Sequence, residues 1–214
     1  TLMACRYVKQ DAETLRYSLT LKLSRIGNLV SAQYNIRDLV RPYLADLVDK
    51  TGESACLAVE EHHRAVYIDV ESGPDNALRV MQRIGKEAPL HCTGVGKLML
   101  LNYDASTREQ VIDEMGLEAM TANTITDRNR LTQELEKIRN DGYAIDDEEC
   151  ELGARCVAAP IRDFSGMIVA SLSVSGPVSR MTFQKINQVI ASVSQTAALV
   201  SRELGYDGKD PSVV

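Results

Sequence analysis

The segment LHCTGVGKLMLL, residues 90–101, has the residue types of an anion-binding loop that leads into a helix. Thr93 is a good helix N-cap, and Gly94 and Gly96 leave the first amides of the helix accessible to a bound group. A helix start carries partial positive charge and free N–H donors, so it suits a carboxylate as well as a phosphate. The alternative is that the two glycines only let the helix pack closely on a sheet.

Nucleotide-binding motifs do not fit this segment. A P-loop requires glycine five residues before the GK pair and Ser or Thr directly after it, and those positions hold His91 and Leu98. The dinucleotide motif requires a third glycine where Met99 stands. The local chemistry therefore favours a small anion and excludes a nucleotide.

A second polar cluster is DDEECELGARC, residues 146–156. Asp146 directly follows an apolar Tyr-Ala-Ile stretch, so we expect it at a strand end, pointing inward, where it could accept a hydrogen bond from a ligand hydroxyl. Runs of acidic residues are usually solvated, and we expect Glu148 and Glu149 in an exposed turn.

A third cluster is the strand IVASLSVSGP, residues 168–177, in which Ser171, Ser173 and Ser175 share one face. Three hydroxyls in a row are typical of the wet side of a sheet. They would equally form a pocket wall of small donors, and the neighbouring strand GARCVAAP, poor in bulky residues, would leave room for that pocket.

Catalytic and metal sites are weakly supported. Cys92 beside His91 is the one tempting nucleophile and base, but adjacent strand residues point to opposite faces, so we predict no catalytic set. Potential zinc ligands are present, but their spacing matches no structural zinc pattern. These residues are His91, Cys92, Asp146, Cys150 and Cys156. We predict no cofactor, and a metal sensor remains an alternative.

Charge and composition restrict the class of protein further. The chain has 214 residues and a net charge of −6, of which residues 1–33 carry +3 and the remainder −9. Nucleic-acid contacts require a basic surface, so only the N-terminal end suits DNA. Five cysteines without a CxxC pair favour reduced thiols in the cytoplasm, and no apolar run reaches the roughly 20 residues of a membrane helix.

The hydrophobic periodicity predicts an α+β fold with helices against one antiparallel sheet. Helices are predicted from residue 35 to a stop at Gly52, over 106–116 and 126–142, and from Thr182 to Leu204 with Phe183 on the apolar face. Strands are predicted over 5–8, 15–23 and 77–85, on both sides of EEHHR (60–64), and on both sides of RDFSG (162–166).

Three segments in this order resemble the effector-binding domain of the IclR family of bacterial transcription regulators: LHCTGVGKLMLL, GYAIDDEECELGARCVAAPI and ASLSVSGPVSRMT. The resemblance implies a GAF-like antiparallel sheet flanked by helices over residues 34–206, with a flexible tail over 207–214. RYVKQDAETLRYSLTLKLSRIG is similar to the wing and linker helix of a winged helix-turn-helix domain, giving a remnant over 1–33. The helix-turn-helix itself is then expected before Thr1.

The resemblance also implies a ligand, a set of site residues and partners. The ligand would be a small keto, hydroxy or sugar acid that alters operator DNA binding by a homodimer or homotetramer. The implied site residues are Leu78, Val80, Thr93, Gly94, Val95, Asp146, Ala154, Cys156, Ser173 and Ser175. YSLTLKL and the GY ending are similar to the branch that senses 2-keto-3-deoxygluconate. A zinc sensor and a cysteine-based GAF-like enzyme are the alternatives.

Overall fold

The computed structural model describes residues 1–31, 35–74, 80 and 82–208, with only the backbone for 27–31. It consists of two compact units, Thr1–Leu39 and Val40–Val214. The predicted boundaries at 33/34 and 206/207 stay predictions.

The first unit contains a small antiparallel hairpin, β1 (Val8–Gln10) and β2 (Tyr17–Leu19), followed by helix α1 (Lys22–Ser31). The hairpin was expected, but its first strand was predicted three residues too early, over 5–8, and its second, over 15–23, was predicted too long, because the chain is already helical at Lys22. Asp11 shapes the turn between the strands by accepting hydrogen bonds from the amides of Glu13 and Thr14.

The second unit is built on a six-stranded antiparallel sheet in the order β5-β4-β3-β8-β7-β6. Its strands are β3 (Ser54–Glu61), β4 (Arg64–Glu71), β5 (Glu87–Ala88), β6 (Ala144–Asp147), β7 (Ala154–Arg162) and β8 (Ile168–Pro177). Five helices join this framework: α2 (Ile36–Thr51), α3 (Gly94–Met99), α4 (Ala105–Met115), α5 (Arg128–Asp141) and α6 (Phe183–Glu203). The predicted α+β class is confirmed.

The predicted helix ends agree well with the structure, whereas the exposure of Phe183 and the strand before α3 were not predicted correctly. Gly52 ends α2 with a φ of 67°, a backbone conformation that glycine adopts without strain. Phe183, predicted on the apolar face of α6, is instead 74% exposed, and its ring lies 4.7 Å from the Arg155 guanidinium. The strand predicted over 77–85 lies largely outside the described residues, and β5, a two-residue strand just after it, was missed.

Different helices cover the two faces of the sheet. Helix α6 packs on β7 and β8 from one side. On the other side, a buried cluster joins the sheet residues Cys56, Ala58 and Ala158 to Leu98 of α3 and Leu131 of α5. Polar side chains on this second face are therefore removed from bulk water.

A buried carboxylate connects the end of α2 to β8 and α6. Glu53 is 1% exposed and forms ion pairs with Arg180 at 2.7 Å and Lys185 at 2.8 Å. Burial raises the pKa of Glu53, but the hydrogen bonds from the two cations outweigh that effect and the pKa is lowered. A Cβ on Gly176 would lie 2.5 Å from the carboxylate, so a larger residue there would displace the Glu53 side chain from its ion pairs.

We expect Glu53→Gln to lower the free energy of unfolding by about 2 kcal/mol in urea titrations, because the neutral amide no longer pairs with the partly buried cations of Arg180 and Lys185. Asp46→Asn, which breaks the exposed pair with Lys50, is the matched control and should change stability by less than about 0.5 kcal/mol. Equal losses in the two variants would contradict this role for Glu53.

Candidate functional site

A cavity of about 30 Å³ lies where β4, the start of α3, β6, β7 and the end of β8 meet. Six of the ten residues predicted from the sequence line it: Val80, Thr93, Asp146, Ala154, Cys156 and Ser175. Strand pairing explains this convergence, since Cys156 stands opposite Asp146 on β6 and opposite Ser175 on β8. Residues from four segments far apart in the chain thus share one small space.

The remaining predicted residues lie beside the cavity or outside the described part of the chain. Val95 is fully buried in the core beneath the cavity. Gly94 faces the sheet, because a Cβ there would lie 3.2 Å from Ala158. Ser173 is fully buried, with Cys56 as its register partner on β3. Leu78 falls outside the described residues.

The sequence analysis missed several polar residues of the cavity wall. Tyr67, Gln82, Lys86 and Cys150 line it together with the predicted residues. Gln82 Oε1 is buried and forms no hydrogen bond to a described residue. Tyr67 lies on the buried face of β4, whereas Val66 and Val70 on the other face are only partly buried, and no spacing pattern pointed to Gln82 or Lys86.

The serine face of β8 is buried, so its interpretation as the wet side of a sheet is wrong. Ser171 and Ser173 are 0% exposed and Ser175 is 5% exposed. Helix α3 contacts both β7 and β8 and covers this face. Only Ser175, near the strand end, reaches the cavity.

The start of α3 has the geometry that its sequence predicts. Thr93 is the N-cap, and its Oγ1 accepts a hydrogen bond from the Gly96 amide at 3.1 Å. The amides of Gly94 and Val95 are the first two of the helix and have no acceptor within it. A Cβ on Gly96 would lie 2.4 Å from Leu90 Cα, in the segment before the helix, so the close approach to the sheet itself is made at Gly94.

Asp146 is the buried acid of the cavity. Its Oδ1 accepts hydrogen bonds from the amides of Glu149 at 2.8 Å and Cys150 at 3.3 Å. Burial raises the pKa of Asp146 to about 7, and the Glu149 carboxylate adds to this, whereas the two amides and Lys97 act in the opposite direction. Near neutral pH this side chain exchanges between its charged and its neutral form.

Glu149 is not in a solvated turn, and that prediction is wrong. It is 7% exposed, and its Oε1 lies 2.6 Å from Nζ of Lys97, which is fully buried. Burial raises the pKa of Glu149, and Lys97 partly offsets that rise. The sequence signal for this buried ion pair is the single lysine within the apolar run GVGKLMLL.

The histidine and cysteines do not form a catalytic set. His91 and Cys92 lie in a bend rather than on a strand, and the His91 Nε2–H donates to the Glu118 carbonyl at 3.0 Å. The Cys92 thiol instead forms a hydrogen bond with Cys150, which raises the pKa of Cys92 and lowers that of Cys150. Burial raises the pKa of Cys156 to about 12, so it is a neutral thiol at pH 7.

The described residues contain no group of three or more His, Cys, Asp or Glu side chains placed to hold a metal ion. Within the same part of the chain, no helix is long and apolar enough to cross a membrane.

Comparison with known proteins gives a consistent result. The family model "Bacterial transcriptional regulator IclR C-terminal" matches residues 29–202. The HTH-type transcriptional regulator KdgR of Escherichia coli is 34% identical over 209 residues, covering 96% of this chain and 78% of that protein.

Solved structures agree with the sequence matches. The Thermotoga maritima IclR crystal structure has a TM-score of 0.75 and 34% identity, covering 96% of this chain and 82% of that one. The inducer-binding domain of an Acinetobacter PobR double mutant, solved with 3-hydroxybenzoic acid, has a TM-score of 0.72 and 26% identity, covering 78% of this chain and 98% of that one.

The family model, the sequence relatives and the solved structures together define the class of this α+β protein as a transcription regulator. The chain belongs to the IclR family of bacterial transcription regulators, and its larger unit is the effector-binding C-terminal domain of that family.

Asp146→Asn should make the protein more stable at pH 8 but not at pH 4. The folded-state pKa of Asp146, about 7, lies above its ordinary value of 3.8, so the stability present at low pH is lost as pH rises through 7. The amide keeps an oxygen for the two backbone donors and removes the charge. Urea unfolding at pH 8 should show a gain of up to about 4 kcal/mol.

Taking the difference between the variant and the parent chain at each pH cancels the titration of groups that do not interact with Asp146. A gain that is the same at pH 4 and pH 8 would show that the ionisation of Asp146 does not cause it.

Proposed function

We propose that the cavity binds a small organic acid and that binding alters the affinity of the full regulator for its operator DNA. The observation that carries this proposal is the convergence of Thr93, Asp146, Cys156 and Ser175 on one buried space. Polar groups that converge on one concave space are typical of small-molecule sites.

The cavity lining carries charges of both signs, Lys86 and Arg155 against Asp146 and Glu151, so an anionic ligand would depend on Lys86 and on the amides of α3. Lys86 is exposed at the rim and forms no ion pair with any described residue. Arg155 is not available to a ligand, because its guanidinium pairs with Asp147 at 2.6 Å and donates to the Met181 carbonyl at 2.6 Å. In our proposal Lys86 attracts the acid, and the first amides of α3 and the Ser175 hydroxyl hold its carboxylate.

Asp146 gives the site a preference for acids that carry a second polar group. Its Oδ1 is occupied by two backbone donors, and its Oδ2 has no hydrogen bond to a described residue. In our proposal this oxygen accepts from a hydroxyl or hydrated carbonyl on the ligand. Tyr67 is the one aromatic residue among the described residues of the lining, which favours a keto, hydroxy or sugar acid.

A relative supports the class of ligand. The solved PobR domain, to which this chain is similar, contains 3-hydroxybenzoic acid, which has both a carboxylate and a hydroxyl. That compound is a ligand of PobR, and it serves here as the aromatic member of a test panel.

The size of the cavity suggests how binding is transmitted. Small-molecule pockets usually exceed about 300 Å³, whereas this cavity measures about 30 Å³. An acid must therefore displace part of the lining, and a ligand that favours an opened form shifts the population toward it. Ser175 pairs with Ser54, which directly follows Glu53 at the end of α2, so displacement at β8 would reach α2.

In this proposal α2 passes the change to the N-terminal unit. Residues 1–33 act as the wing and linker of a DNA-binding domain, and the regulator works in the cytoplasm as a homodimer or homotetramer. Operator binding in this proposal requires the full regulator, including its helix-turn-helix domain.

A thermal-shift panel of pyruvate, gluconate, 2-keto-3-deoxygluconate and 3-hydroxybenzoate tests the binding step. An acid at 100 times its Kd should add about 2.7 kcal/mol, a shift of several degrees in Tm. Ser175→Ala should abolish most of that shift. Ser171→Ala, a buried serine on the same face that does not line the cavity, is the matched control and should retain it.

A stabilising acid whose effect survives Ser175→Ala would contradict the assignment of the cavity. The same panel includes zinc with and without a chelator, because Cys150, Cys156 and Asp146 share the lining. Stabilisation by zinc alone would favour the metal-sensor alternative over the acid-binding proposal.

A further inference from the structure

Lys97 stands out among the described lysines because its side chain is 0% exposed. It lies on α3 within an apolar run, and an ammonium buried in such surroundings is costly unless it is paired and fully hydrogen-bonded. Leu or Met would fill this position in an ordinary core. A lysine at this position therefore indicates nearby groups that pair with its charge.

The partners of Lys97 lie on both sides of Asp146 in the chain. Its Nζ donates to the Ile145 carbonyl at 2.6 Å and to Glu149 Oε1 at 2.6 Å, with Glu134 Oε1 at 3.4 Å. These acceptors match the three N–H groups of an ammonium. Lys97 thus joins α3 to the residue before Asp146 and to the residue that closes the turn after it.

The turn after Asp146 is held by bonds of two kinds. Asp146 itself accepts from the amides of Glu149 and Cys150, which closes the turn locally. From outside, Thr121 Oγ1 donates to the Glu148 carbonyl and Thr124 Oγ1 to the Glu149 carbonyl, each at 2.6 Å. These bonds keep the turn folded, but they do not connect it to α3.

Lys97 makes that connection. Thr93, the N-cap of α3, and Asp146 both line the cavity, and Lys97 is one helical turn from Thr93. Glu149 Oε2 is buried without a hydrogen bond to a described residue, so Lys97 carries most of the compensation for this carboxylate. Removing the ammonium would leave weaker links between the turn and the start of the helix, such as the thiol hydrogen bond between Cys92, just before the N-cap of α3, and Cys150.

We propose that Lys97 is a positioning residue of the effector site, holding the Asp146 turn and the start of α3 at the separation that an acid requires. This inference rests on the proposed function for the identity of the ligand. The positioning itself can be tested without a ligand, because Cys150 follows the same turn and lines the cavity.

The test compares Lys97→Met/Glu149→Gln with the parent chain. The double variant removes both charges, so it does not leave a buried carboxylate unpaired and is better suited to fold than Lys97→Met alone. The first readout is the rate of Cys150 alkylation by iodoacetamide, followed by peptide mass spectrometry. We expect the rate to rise about tenfold as the turn opens locally.

The second readout is the Kd, by calorimetry, of whichever of pyruvate, gluconate or 3-hydroxybenzoate stabilises the parent chain most. We expect this Kd to rise about tenfold or more, because small displacements of positioning groups weaken a bound geometry strongly. Val193→Ala, a core truncation on α6 away from the cavity, controls for general loss of stability. It should lower Tm without changing either readout.

The outcomes separate the two proposals. If the double variant changes Cys150 alkylation and Kd no more than Val193→Ala does, the positioning role of Lys97 is overturned. If none of these acids binds the parent chain while Cys150 alkylation still rises in the double variant, the positioning role stands and the choice of ligand class fails.

Discussion

The effector domain depends on the close approach of a short helix to the sheet beneath it. At Gly94, a single added carbon would lie 3.2 Å from Ala158 on β7, and at Gly96 it would lie 2.4 Å from Leu90 Cα, in the segment that leads into the helix. Helix α3 can therefore rest directly on β7 and β8, where the sheet presents small residues. This contact buries the serines of β8 and leaves a polar cavity only where the helix begins.

Charged groups beneath this contact lower the stability of the domain locally. Lys97, Glu149 and Asp146 are all buried, and burial raises the pKa of both acids. A packed apolar core would be the more stable arrangement at these positions. Buried polar groups that reduce stability are typical of binding sites, because residues there serve ligand recognition rather than stability.

Local signals predicted much of the fold. Capping residues and glycine stops located α2, α5 and α6, and alternation identified both faces of β8. Burial was harder to predict, because it depends on what covers a surface. The serine face of β8 and Glu149 were predicted to be exposed to solvent. No sequence pattern indicates that α3 covers the serine face or that Lys97 pairs with Glu149.

The site was predictable where one segment carried its own signal. Thr93 and Asp146 could be proposed from their immediate neighbours, whereas Gln82 and Lys86 reach the cavity only through the path of the chain around β4 and β5. Pairing of distant strands brings Cys156 between Asp146 and Ser175, and that register is a property of the whole sheet.

A crystal structure of this chain with the acid that stabilises it most would test the central claim directly. The account predicts the ligand carboxylate within hydrogen-bond distance of the Gly94 or Val95 amide and of Ser175 Oγ, with Asp146 facing its hydroxyl or carbonyl. A ligand seated on the α6 side of the sheet, or one that leaves these groups without contact, would contradict it.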